Sequence, residues 1–443
     1  MIRLATTVSL LLRCRREDGG MTIFGLYIFL GMAILAGIGV DFSNLIAHRT
    51  HLQVAADVAA HAAIVTRQGD TEASAKLKAI ELATGTMPYS RHGNTLEPVD
   101  IHFGTWNRAT QVFTPVTNSK AAVLVETSNL QSKSNPVSSF LLHLVGFSRF
   151  DVRTQAVYET YERNCLREGF VAENVVDIRS NNGFYREFCI HSNGHVEMQN
   201  HNFFEEGTRV TMPDEDDLVI PGSGMRQNPG LDKALGEDEF NLDIVDDLPE
   251  IFDDFYNLNG TSEHWPSYVT NTAVRDTISS GGTYDDSDFT DGRVTWVNCS
   301  GNESLTIAKD TVLTNVAIIT DCAVNFKSGV ALEDSMIFTT DSSANSFKGP
   351  QGIRLGKDDS CATGGGAQLL TMGGTHFASG LQMYGGQIIG AGTIEFAAQA
   401  DGFDGASIIA GDEISGTSLM NMGLCEGSGL EDHFTTTYFR LAG

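Results

Sequence analysis

Several residue types are scarce in this chain, and each scarcity excludes something. Basic residues number 29 against 56 acidic ones, a formal net charge of −27. A body so acidic repels phosphate backbones and anionic lipid, which excludes nucleic acid and anionic membrane surfaces as partners of its bulk. Proline is held to 10 residues while glycine reaches 46. Many glycines with few prolines fit tight β turns better than disorder. No CxxC occurs and no Cys/His group has zinc-ligand spacing, so no metal or other cofactor is expected. No GxSxG nucleophile elbow is present. The Gly-rich stretches GSGMRQNPG (Gly222–Gly230) and TGGGAQ (Thr363–Gln368) lack the lysine and the strand–helix context of a phosphate loop and read as turns.

The cysteines are unevenly placed. Cys14 stands alone, whereas Cys165, Cys189, Cys299, Cys322, Cys361 and Cys425 all lie beyond residue 160. An even set on one side of the chain fits three disulfides formed in an oxidising compartment. Fifteen pairings are open to six thiols, with pairing of sequence neighbours the simplest guess.

Between these groups lies Met21–Val40, twenty residues without a charge. At about 1.5 Å per residue this spans the ~30 Å hydrocarbon layer of a bilayer. Arg13, Arg15 and Arg16 precede it and Asp41 follows, so the positive-inside rule places residues 1–20 in the cytoplasm and the body outside. A cleaved signal peptide is the competing reading. The apolar core is longer than such peptides carry, and the helical pattern continues beyond it, which favours a retained anchor. From Asp41 onward Leu45, Leu52, Ala55, Ala59 and Ala62 recur at steps of three and four or their sums. They form an interaction seam on an amphipathic helix that needs a partner, either its own domain or another subunit.

The residues EDGG, the uncharged run and GVDFSNLIAHRTHLQVAADVAAHAA together resemble the N-termini of TadE/TadG-like Flp (Tad) pilus-assembly proteins. Leu52, Gln53, Ala55, Ala56, Asp57, Ala59 and Ala60 carry the family's LQ-x-AAD-x-AA pattern. The stretches Val99–Val116, Ala121–Thr127 and Phe150–Glu159 resemble the strand-rich segment that comes next in that family, so the resemblance covers about residues 13–160. Gly25 stands where pilin-like members have a Glu after the cleaved glycine, which favours the anchored TadG-like branch over a processed one. The Asp-x-Ser-x-Ser metal motif of some relatives is missing.

Beyond residue 160 the sequence repeats itself. Val175–Ser192 aligns with His195–Met212 at a shift of twenty, pairing Val176 with Val196, Asp177 with Glu197 and Asn182 with Asn202. Ser304–Asp321 aligns with Ala323–Thr340 at nineteen, pairing Leu305 with Val324 and Ile318 with Ile337. QIIGAG and SIIAGD, at Gln387 and Ser407, repeat at twenty. Alternating apolar residues on a period near twenty, punctuated by Gly, Asn and Asp, are a solenoid signature. Val, Ile, Phe and Met occupy the positions where leucine-rich repeats need Leu, so a parallel β-helix is the better fit.

The expected fold is therefore one transmembrane helix continuing into an amphipathic helix, a small α/β segment, and a C-terminal parallel β-helix (β-solenoid) interrupted by an acidic insert. In residues this gives a stub at 1–20, a span at 21–40, a TadG-like segment at 41–163, first rungs at 164–212, an insert at 213–292 containing a helix at LPEIFDDFYNL (Leu248–Leu258), and a main β-helix at 293–443.

Chemistry-bearing clusters are few. Asp177 and Glu197 stack as a candidate carboxylate pair, but a solvated acidic face, which the composition predicts anyway, is the better reading. His191, His195 and His201 are close in sequence without helical spacing for a metal. DDSDFTDG (Asp285–Gly292) places its glycine one position late for a calcium loop and has no closing Glu. Together these features point to a non-enzymatic, inner-membrane-anchored bacterial protein of a Tad/Flp-type pilus system. It would have a cytoplasmic N-terminus and would act as a periplasmic scaffold or minor-pilin-like partner of other assembly proteins. The alternatives are an anchored β-helix carbohydrate-active enzyme and a pilus-independent adhesin, with a glycan or surface ligand. An enzyme would show an outward cleft with converging carboxylates and Arg or Lys; an adhesin would show exposed aromatic shelves.

Overall fold

The computed structural model describes residues 20–161, 163–262, 264–279, 281–301, 303–397, 402–416, 418–425 and 428–442. Cys14, the arginines at 3, 13, 15 and 16, and the stub at 1–19 lie outside the described residues. The chain divides into two compact units, one formed by Met1–Tyr161 with Thr437–Gly443, the other by Glu162–Thr436.

In the first unit, helix α1 (Gly20–Gly69) runs unbroken from the apolar stretch into the Ala-rich one. Its first half is bare: Met21, Tyr27, Phe29 and Leu35 are each at least two-thirds exposed. Its second half buries the seam. Leu52, Ala55, Ala59 and Ala62 are buried and Leu45 is half-buried. Ala59 packs with Ala75, Ala79 and Ala83 of helix α2 (Glu72–Thr86) and with Ile101, Phe103, Val123, Val125 and Ala156 of an antiparallel sheet, while Leu52, Ala55 and Leu45 pack with Met87, Val137, Val152 and Phe150. Alanine on both helices keeps side-chain bulk small, so the backbones can approach closely. Thr71 caps α2 by accepting a hydrogen bond from the Ser74 N–H at 3.2 Å. The sheet contains β1 (Ile101–Asn107), β2 (Val112–Pro115), β3 (Ala122–Asn129), β4 (Val152–Tyr161) and β5 (Tyr438–Leu441), in the order β2-β1-β3-β4-β5. Because β5 pairs with β4, placing Tyr438 opposite Tyr161, the second unit is inserted between two neighbouring strands of the first. The final residues thus do not continue the C-terminal repeats, as a repeat domain running to 443 would require.

The second unit consists mostly of short parallel strands in three stacks that share one apolar core. The registers agree with the sequence repeats. Val176 pairs with Val196 and Asp177 with Glu197, Leu305 with Val324, Ile318 with Ile337, and Gln387 with Ser407. In spatial order the longest stack begins at Asn271–Ser279 and passes through successive strands to Ser407–Ala410. It then continues with Gly169–Ala172, Cys189–Ser192, Arg209–Met212 and Leu235–Glu237. The earliest strand of the unit therefore sits beside one of the last. The chain begins in the middle of the stack, builds to one end, and must cross to the other before it can build back.

Residues 238–270 make that crossing. Parallel strands resume at Asn271, short of the expected insert end at 292, because Asn271–Ser279 is a half-exposed end strand whose polar sequence hides its pairing. The crossing runs along the outside of the longest stack. Phe240 stacks on His191 with ring centroids 3.7 Å apart. Helix α3 (Leu248–Tyr256) lays Phe252 against Trp296 and Phe338, and the Tyr268 hydroxyl donates to Gln368 Oε1 at 2.6 Å. This cover explains why a strand such as Ala367–Thr371 is buried on both faces.

Disulfides join Cys165 to Cys189, Cys299 to Cys322 and Cys361 to Cys425, each cysteine with its neighbour in order.

Candidate functional site

Strand pleating points alternate residues to opposite faces, and on the third stack this builds a cleft. The strands Gln382–Tyr384, Phe403–Asp404, Asn421–Gly423 and Gly183–Phe184 send Met383, Phe403, Met422 and Phe184 into the core. Their other face, with adjoining turns, opens a cleft of about 670 Å³ lined by Tyr185, Tyr384, Arg186, Glu205, Asp358, Asp404 and Asn421.

Arg186 organises it. Its guanidinium donates to the Asp404 carboxylate, and its backbone N–H donates to Glu205 Oε2 at 2.7 Å. It reaches Asp404 by lying over Gly423, where an added Cβ would stand 2.6 Å from the guanidinium and push it aside. Arg186 and Glu187 have φ of 50° and 63°, a backbone region that non-glycine residues adopt at a cost. Phe203 supports Tyr185 from the neighbouring strand, with centroids 5.6 Å apart. The Cys361–Cys425 disulfide lines a smaller adjoining pocket with Lys357, Asp358 and Asp359. Two tyrosines, three carboxylates, an amide and one arginine can hold a hydroxyl-rich or polar ligand by hydrogen bonds and ring contacts.

Of the carboxylates singled out in the sequence, Asp177 and Glu197 do stand opposite each other. Asp177 is nearly buried and salt-bridged to Arg179 at 2.8 Å. Burial pushes its carboxyl above the ordinary range, Arg179 opposes this, and the like charge of Glu197 reinforces it. His195 engages Glu197 at 3.1 Å. His191 is separate, its Nδ1 at 2.8 Å from Thr211 Oγ1 and its Nε2 at 2.9 Å from Asn193 Oδ1, with burial lowering its pKa to about 4. The three histidines therefore do not converge. In DDSDFTDG the carboxylates close a 3-10 turn, and Asp286 accepts the Thr314 N–H at 2.9 Å.

Two residues that sequence reasoning missed have clear roles. Arg186 carried no signal, being one exposed cation in a turn. Asp41 marked the end of the apolar run, but it is buried and its carboxylate accepts the backbone N–H groups of Phe140, Leu141 and Leu142. Burial works against its charge, yet the three donors outweigh it and hold the carboxyl below its ordinary value.

Residues 169–426 match a family described as a domain of unknown function, DUF7867. Residues 19–75 match the putative Flp pilus-assembly TadE/G-like family. Comparison with curated proteins and with solved structures gave no match.

Proposed function

The chain belongs to the DUF7867 family, and on that premise we propose that it is an anchored, non-enzymatic component of a Flp-type pilus-assembly system whose C-terminal unit is a binding module. One observation carries this reading. The stretch that matches the Flp pilus-assembly family coincides with the helix whose bare apolar half passes directly into a seam packed on its own small domain. The helix is long and apolar enough to cross a membrane. In this reading residues 21–40 cross the bacterial inner membrane with the N-terminus cytoplasmic, and the disulfide-bearing body lies in the periplasm or at the surface. Because its seam is occupied by its own α2 and sheet, α1 would meet other assembly subunits through its remaining faces. Confinement to one membrane raises the effective concentration of such partners, so weak contacts suffice.

The three stacks are read as the faces of a parallel β-helix whose coils are permuted in chain order. The parallel registers at shifts of nineteen and twenty support this. A role as scaffold or as minor-pilin-like subunit would come from the anchor together with a large C-terminal module.

Carbohydrate recognition is a second reading, and the cleft around Arg186 favours it by bringing carboxylates, an arginine and two tyrosines together. We place binding ahead of turnover because Arg186 already engages Asp404 and Glu205. Gene deletion separates these readings. Loss of pilus filaments supports the assembly role; filaments intact with polymer degradation lost supports an enzyme; attachment alone lost supports an adhesin.

A further inference from the structure

The hairpin between the short strands Val137–Ser138 and Arg149–Phe150 has a tip whose apolar side chains are mostly left exposed by the described residues. Phe140, Leu144 and Phe147 are 61%, 76% and 63% exposed, and Leu141 and Val145 are exposed as well. From Ser139 to Ser148 the only titratable side chain is His143. Soluble loops rarely gather so many large apolar groups without something to cover them.

The tip is not free to wander. Asp41 accepts the N–H groups of residues 140–142, the Asn44 side-chain amide donates to the Ser138 carbonyl at 3.4 Å, and Ser139 Oγ donates to the Phe147 carbonyl at 2.6 Å. Leu141 packs on Gly37, where an added Cβ would stand 3.1 Å from Leu141 Cβ. These contacts fix the tip against α1 between Gly37 and Asp41. Gly37 lies about one helical turn inside the apolar run, roughly 5 Å short of its end at Val40. The exposed side chains therefore stand beside the last turn of the stretch that crosses the bilayer.

We propose that the Phe140–Phe147 tip is a second membrane-contact element, seated in the headgroup–acyl boundary of the leaflet that α1 reaches at Val40. This rests on the membrane-anchored reading. The occupant is lipid because the apolar surface of the tip continues that of the span at the same depth, and apolar side chains at that level bury to about 5–10 Å in monotopic elements. Exposed Arg149 comes directly after the tip, where its guanidinium can meet lipid phosphates. One crossing helix alone leaves the protein free to tilt and rotate; the tip adds a second contact that restrains both.

The test uses the full chain with Cys14→Ser, purified into lipid nanodiscs, and single cysteines carrying a bimane label at Leu144→Cys, Ile34→Cys or Leu77→Cys. Leu77 is exposed on α2, far along α1 from the bilayer. The expected result is that bimane at 144 is quenched by lipid nitroxides near the headgroup and is at least about threefold less accessible to aqueous iodide than at 77. Bimane at 34 should be quenched by mid-chain nitroxides. Quenching at 34 with full iodide access at 144 would overturn the membrane-contact proposal and leave the anchor intact, directing the search to a protein partner. Lack of lipid quenching at 34 would overturn the anchor itself and the proposal with it.

Discussion

Asn182, Asn202 and Asn228 form a buried ladder in which each side-chain oxygen accepts a backbone N–H from the neighbouring strand level. Asn202 Oδ1 accepts from the Asn182 N–H at 2.9 Å, Asn228 Oδ1 from the Asn202 N–H at 2.7 Å, and Asn182 Oδ1 from the Met420 N–H at 3.1 Å. The side-chain amides of Asn182 and Asn202 donate to the carbonyls of Arg179 and Gln199, each at 3.0 Å. Removing a member orphans buried groups above and below it. Asn202→Ala should therefore destabilise the second unit by about 1–3 kcal/mol in a denaturant titration. The 182–202 step was readable as a repeat, whereas Asn228 sits in a turn outside the period. A second residue-scale prediction concerns His191. Its pKa is lowered from 6.5 to about 4 in the fold by burial, so between those values the unfolded chain binds a proton that the fold rejects. The stability it contributes is complete above pH 6.5 and lost as pH falls toward 4, by up to about 3 kcal/mol. His191→Gln should flatten the fall in Tm between pH 7 and 4.5. His433, also lowered to about 4 by burial, places its two ring nitrogens 3.1 Å from the carbonyls of Arg167 and Gly385. Its folded value is lowered as far as that of His191, so it adds a slope of the same sign over the same pH range, and His191→Gln removes only part of the fall.

At the scale of elements, the crossing segment 238–270 is a strap as well as a connection. It covers the strand face bearing Gln368, which is fully buried and accepts from the Tyr268 hydroxyl. Phe255 inserts between Trp265 and Phe434 with centroids 4.8 and 6.2 Å away and is itself fully buried. Phe255→Ala should cost about 3–5 kcal/mol and expose the underlying strands to faster amide hydrogen exchange. The helix within the strap was legible because Leu248, Ile251, Phe252 and Phe255 fall on one face. Its partner was not, because the strand residues it covers read as ordinary polar, outward-facing positions. Local repeats gave the pairing of neighbouring strands correctly for the same reason that they hid the global order: a shift of twenty specifies which residue faces which, and nothing in it says that Ser407–Ala410 pairs with Gly169–Ala172. The four-residue β5 was too short to read at all.

For the whole molecule, the division of labour comes from charge and apolar surface. The sequence places its uncharged run ahead of an acidic body that carries all six paired cysteines. The resemblance at the N-terminus extended in sequence to about residue 160, whereas the family match stops at residue 75. The boundary between α1's bare half and its packed half falls at Gly37–Asp41, where the hairpin tip docks. Reduction should weaken the second unit alone, since among the described residues every disulfide lies within it; its Tm should fall on adding dithiothreitol while the first unit's transition stays in place. The central claim is that one span threads the membrane with this oxidised body on the far side. Protease added to intact spheroplasts tests it most directly. The account predicts that antibody to the second unit detects a protein digested from outside, while a tag placed before residue 20 is protected until the cells are lysed. A second unit shielded from protease in intact spheroplasts, or recovered soluble and free of residues 21–40, would contradict it.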